Sequence, residues 1–257
     1  MSAPLWLLPT FAVIAAAYAS VGLGGATAYA AVLSLAAVPY VQIPPLVLTL
    51  NLLVAGSAYW SFHSAGRVPY ATVVPLIAAS VPAAFVGGLV PLRERQFLIL
   101  LSFALLLAGI RFLLGGWLHR ERPDEAIRGG GLRRDTGLRR GMLLSLGMGI
   151  GLLAGMTGIG GGVYLGPILL LSGGSDPKTV PAITSAFVCV NSAAGLGAQL
   201  TRIHPALDLW APLAAAVILG AVGGAVVSLR WLSATWTRRV LGSALISAAV
   251  LNAAKAL

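Results

Sequence analysis

The chain has 257 residues, 58% of them hydrophobic and only 9% charged. A soluble domain carries about 25% charged residues, so this composition excludes a solvated globular surface and places the chain in a bilayer. The net charge of +10 comes without a basic face interleaved with aromatics; its residues flank apolar segments and fill one central stretch, as topology signals do, which argues against nucleic acid as a partner.

From the N-terminus, MSAPLWLLPT lacks the basic n-region of a cleavable signal peptide, and Leu5 onward reads as the first membrane segment. Apolar segments follow at about 5–21, 26–38, 44–63, 70–91 and 96–118, and again at 142–157, 162–172, 180–200, 206–229 and 239–254. The long runs Phe97 to Leu118 and Leu209 to Leu229 meet the roughly 20 residues needed to span hydrocarbon. The second segment of each set is short. At 1.5 Å per residue, 162–172 reaches only roughly 17 Å, so with its predecessor it forms a hairpin that dips in and returns.

Between the two sets lies His119 to Arg140, with seven arginines, four acidic residues and a Gly-Gly-Gly run. It reads as a polar surface linker. The chain thus divides into a first membrane repeat over 1–118, a linker over 119–140 and a second repeat over 141–257. A displacement of 136 residues carries Gly22-Leu23-Gly24-Gly25 onto Gly158-Ile159-Gly160-Gly161, Pro45 onto Pro181, Pro69 onto Pro205 and Gly87-Gly88 onto Gly223-Gly224. Chance matches some glycines, but not one spacing over several landmarks.

The linker's arginines predict a cytoplasmic location in a cell inner membrane. Counting outward puts Arg67, Lys178, Arg230, Arg238 and Arg239 on that side, and Arg93, Arg95, Arg202 and Lys255 on the other. Each half makes an odd number of crossings, so the halves are inverted and both termini lie outside. The expected fold is an all-α integral membrane protein of two inverted repeats, with eight to ten transmembrane or re-entrant helices.

Irregular backbone survives at membrane depth only inside protein or beside water. Two such breaks, Gly22 to Gly25 and Gly158 to Gly162, each open the N-terminus of a short helix. Free N–H groups and the positive dipole end favour an anion there, and glycine lets the backbone approach it. Inverted-repeat transporters place substrate where such breaks converge. The alternative for any glycine is close helix packing, the reading given to Gly109 and Gly220.

The repeated glycine turn Gly155-Met156-Thr157-Gly158-Ile159-Gly160-Gly161-Gly162, the downstream Pro45 or Pro181, the polar-dotted helix after it and the turn Gly66-Arg67-Val68-Pro69 resemble the TauE/SafE family of sulfite exporters. The resemblance covers nearly the whole chain. It implies transport of sulfite or of small organosulfonates and related anions; the spacing itself shows no sulfur chemistry.

The third segments add hydroxyl and amide groups suited to an oxyanion: Thr49, Asn51 and Ser57 in the first half, Thr184, Ser185, Asn191 and Ser192 in the second. The expected substrate-binding set is Ser20, Gly22, Gly24, Gly25, Asn51, Thr157, Gly158, Gly160, Gly161, Gly162 and Asn191. All seven acidic residues fall in loops or at segment ends. No carboxylate lies at mid-membrane depth, where proton relays and cation sites usually carry one, which favours an anion as cargo over a metal ion or a carboxylate-driven proton exchange. Arg111 reads as snorkelling to the interface, His63 and His204 as interfacial, and Cys189 as packing.

The single cysteine rules out an intramolecular disulfide and a thiolate cluster. No metal, cofactor or catalytic residue is expected. An embedded enzyme is disfavoured because HExxH and a membrane aspartate pair are missing and His63 and His204 lack a serine elbow. A non-transporting scaffold subunit remains the rival reading. The expected partners are a small sulfur oxyanion or sulfonate and the lipid bilayer; a homo-oligomer is left open.

Overall fold

The computed structural model describes residues 6–19, 24–118, 138–171, 179–203, 207–228 and 234–256. Among them the only regular elements are ten helices: α1 (Leu7–Ala19), α2 (Ala26–Leu35), α3 (Ile43–Ser64), α4 (Tyr70–Leu89), α5 (Glu94–Leu118), α6 (Leu138–Thr157), α7 (Gly162–Leu171), α8 (Val180–Leu200), α9 (Leu207–Ser228) and α10 (Ala234–Ala256). Helices close their own hydrogen bonds and therefore suit a medium with no water to satisfy backbone groups. The ten helices coincide with the ten apolar segments. The largest departures are at polar ends: α6 begins before Arg139 and Arg140, and α10 before Arg238 and Arg239. Hydropathy ends at the hydrocarbon edge, whereas a helical backbone that closes its own hydrogen bonds can continue past it.

Local chemistry sets the helix ends. Proline in the first turns of α3 and α8 supplies a preset φ where no N–H is needed. The end of α3 reverses at Gly66 (φ 67°), and the Arg67 N–H donates 3.0 Å to the Phe62 carbonyl, a left-handed cap. Four segments are long and apolar enough to cross a membrane by length and composition: α3, α4, residues 140–157 of α6, and α8. Large apolar side chains such as Val13, Val74, Leu219 and Val250 are exposed, as a lipid-facing surface requires. The protein is a multi-pass membrane protein. α2 and α7 have ten residues each, about 15 Å of helix.

The packing pairs helices across the halves. α4 and α6 run parallel, with Gly147, Gly151 and Gly155 laid against the carbonyls of Leu76, Ser80 and Ala84. That is small-residue packing of backbone on backbone. α1 packs on α9, with Gly220 against Ala12. α3 and α8 run antiparallel: Leu48 lies beside Gly195, Asn51 beside Ser192 and Gly56 beside Cys189. α5 and α10 are antiparallel too, Gly109 meeting Ile246 and Gly242 meeting Leu113. Gly109 and Gly220 are therefore packing glycines, as expected. Adding or subtracting five from each helix number turns this set of pairs into itself.

Candidate functional site

The turn between α6 and α7 is built from glycines that no other residue replaces without strain. Gly158, Gly160 and Gly161 have φ of 71°, 74° and 84°, the left-handed region that costs an L residue roughly 1–2 kcal/mol. Each is also crowded. A Cβ on Gly158 would lie 2.5 Å from Pro44 Cα at the start of α3; on Gly161, 2.9 Å from the Phe187 ring; on Gly160, 2.7 Å from Ser192 Oγ and in collision with Asn51 Nδ2. Gly162 lies against Val188.

The other break is described from Gly24 onward. A Cβ on Gly24 would strike Asn51 Oδ1, and one on Gly25 would lie 2.7 Å from the Tyr29 ring. Gly25 caps α2, whose first helical bond runs from the Tyr29 N–H to the Gly25 carbonyl at 3.0 Å. The amides of Ala26, Thr27 and Ala28 precede that bond and have no carbonyl within the helix, yet these residues are buried.

Both breaks therefore meet on one side chain: Gly24 faces the oxygen of the Asn51 amide and Gly160 its nitrogen. Asn51 is fully buried. Its Nδ2 donates to Ser192 Oγ at 3.0 Å across the α3–α8 seam, while Oδ1 has no partner among the described residues. An unmet buried polar atom costs about 1–3 kcal/mol. Two more occur, Asn191 Oδ1 and the Tyr29 hydroxyl. Among the residues whose side chains are described, no charged one is buried, and no group of three potential metal ligands occurs among the described residues.

Of the expected set, the structure brings Gly24, Asn51 and Gly160 together, with Gly25 and Gly158 alongside. Gly161 turns to apolar side chains of α6 and α8, and Gly162 to Val188 of α8. Thr157 is buried and gives its hydroxyl to the Leu153 carbonyl at 2.7 Å. Asn191 is buried and donates to the Phe187 carbonyl at 2.8 Å. Ser20 and Gly22 lie outside the described residues, as do residues 119–137 of the linker, Pro205 and His204. Thr49, Ser57, Thr184 and Ser185 donate to carbonyls of their own helices, three or four residues back, which is a structural use. His63 is exposed at the end of α3, hydrogen-bonded to Tyr70; Cys189 is half-buried.

Two residues of the cluster lie outside the expected binding set: Ser192, named only among the third-segment hydroxyls, and Tyr29, which no motif singles out. The spacing of Gly25 and Tyr29, one helical turn, was the available signal for the latter.

The sequence matches the family described as Sulfite exporter TauE/SafE over residues 7–251. It is 31% identical over 234 residues to "Probable membrane transporter protein y4hK" of Sinorhizobium fredii (strain NBRC 101917 / NGR234), covering 90% of each chain. No solved structure matches. With its helical bundle, its glycine breaks and this match across nearly its whole length, the chain belongs to the sulfite exporter TauE/SafE family of membrane transporters.

Proposed function

We propose that this transporter carries a small sulfur oxyanion or sulfonate, sulfite or a small organosulfonate foremost, by alternating access at the point where its two glycine breaks meet. The observation that carries this reading is the convergence of Gly24 and Gly160 on the amide of Asn51. α2 starts there, with the amides of Ala26, Thr27 and Ala28 that have no carbonyl within the helix, and α7 begins two residues past Gly160. An anion accepts hydrogen bonds from such donors without needing a buried counter-charge. Asn51 and Ser192 supply further polar groups, and the orphaned amide oxygen of Asn51 marks a polar demand that a hydrated or protonated oxyanion meets.

The membrane frame follows the same reading. Residues 1–118 and 141–257 act as inverted repeats, supported by the antiparallel course of the equivalent pairs α3 with α8 and α5 with α10. The linker is cytoplasmic and both termini lie outside an inner membrane. The family name supports sulfur oxyanions as cargo. The protein does no covalent chemistry on it and needs no cofactor.

The test is purified protein in liposomes, screened for flux of sulfite, sulfate, thiosulfate and small sulfonates. Flux of sulfite or a sulfonate without any partner protein is expected. No flux of any of them would favour the scaffold reading.

A further inference from the structure

The two halves use equivalent residues unequally, and the inequality locates the way in. On α8, Gly195, Ala198 and Gln199 are buried. α4 covers them: a Cβ on Gly88 would lie 2.8 Å from Ala198 Cβ and 3.0 Å from the Gly195 carbonyl oxygen, and a Cβ on Gly197 would lie 3.9 Å from the Phe85 ring. Arg202 adds a latch, its Nη1 donating 2.8 Å to the Leu89 carbonyl. The 136-residue displacement maps Gly195, Ala198 and Gln199 onto Tyr59, Phe62 and His63 of α3. There Tyr59 and Phe62 are only half-buried and His63 is exposed. The counterpart of Arg202 is Gly66, which has no side chain to latch with.

The exposed end of α3 is the end on the linker side. α3 passes through Asn51 and reaches Ser64 where α4 begins; α4 returns away from it, and α5 comes back to end at the linker. Cys189 sits on this route, one turn of α8 from Ser192 and 3.8 Å from a Cβ placed on Gly56. It is half-buried, whereas the Asn51–Ser192 pair is fully buried.

We propose that this conformation admits substrate from the linker side, along the seam of α3 and α8 past Cys189, and is shut on the opposite side by α4 on α8. In the opposite state α9, which carries Gly224 at the position equivalent to Gly88, closes on Tyr59 and Phe62, and α4 leaves Gly195 and Ala198. This rests on the transport reading above and goes further, naming which faces form the two gates.

Two measurements test it. Cys189 is the only cysteine, so a charged, membrane-impermeant maleimide reports on it alone. It should modify the wild-type protein from the side on which trypsin cuts the arginines of 119–140, and not from the other. No modification from that side, as for a thiol facing lipid, or equal modification from both, would overturn the proposal.

Second, in a Cys189→Ser background, Phe85→Cys and Gly197→Cys are bridged by a short bis-methanethiosulfonate. Sulfonate flux in one liposome sample should fall to the level of empty liposomes on bridging and return on reduction. Flux that persists through complete bridging overturns the gate while leaving transport standing. Wild-type protein that moves no anion defeats the transport reading instead, and the sidedness of Cys189 still decides the opening. If the double variant is inactive before bridging, Cys189 labelling of the wild type again decides.

Discussion

Two sets of glycines lie a few residues apart, and they do different work. Gly147, Gly151 and Gly155 are ordinary helical residues of α6, and what each faces is a carbonyl of α4. Gly158, Gly160 and Gly161 have positive φ, and the middle one faces the side chains of Asn51 and Ser192. In the first set glycine brings backbone to backbone, which is how membrane helices gain contact without a hydrophobic drive. In the second it bends the chain and brings the backbone to a buried polar group. Position in a glycine-rich stretch does not separate the roles; the dihedral and the chemistry of the neighbour do.

The comparison breaks most visibly at Gly160. Gly160→Leu must place a side chain on Asn51 at a φ of 74°, and flux is expected to vanish while the protein still inserts and purifies as folded. Gly24→Leu, acting from the other side of the same amide, should do the same. Unchanged flux in both, measured in liposomes, removes the breaks from the mechanism.

Asn51→Leu keeps the branched shape of the side chain and removes both polar atoms and the bond to Ser192. Flux is expected to fall by about tenfold or more, which corresponds to roughly 1.4 kcal/mol or more of lost stabilisation of the anion. Stability in detergent should change little, because one partner of that amide is already missing.

Gly151→Leu addresses the other set. Its side chain would collide with the Ser80 carbonyl, and forcing volume into a packed seam costs about 1–3 kcal/mol. The expected result is a lower melting temperature and less folded protein, with flux per folded molecule retained. If flux per molecule disappears while stability holds, the two sets are not functionally distinct.

The smallest effect is expected from Thr184→Ala. Its hydroxyl serves carbonyls of its own helix, so stability should move by no more than about 0.5–1 kcal/mol, and flux should stay at the wild-type level. A large flux defect would return the third-segment hydroxyls to the site.

The ten segments, the two breaks and the membrane setting were legible because each depends on near neighbours in the chain: apolar length, proline at helix starts, glycine at bends. Helix ends were less so, since α6 and α10 extend through arginines that hydropathy scores as polar. The candidate site was legible in kind but not in membership. Thr157, like Thr49 and Ser57, looks like a donor for a ligand, yet its rotamer hands the hydroxyl to its own helix. Ser192 looked no different from Ser185, and only one of them lies under Asn51.

By itself the sequence determined that this protein is a helical membrane transporter with a repeated glycine bend, because hydropathy, chain stiffness and family resemblance are carried residue by residue. Only the tertiary structure decided that the two bends share one amide, that Asn51 pairs with a serine 141 residues away, and that α4 covers one face more closely than its counterpart covers the other. Those facts depend on distances between segments far apart in the chain, and on which of several near-equal rotamers the surrounding packing selects.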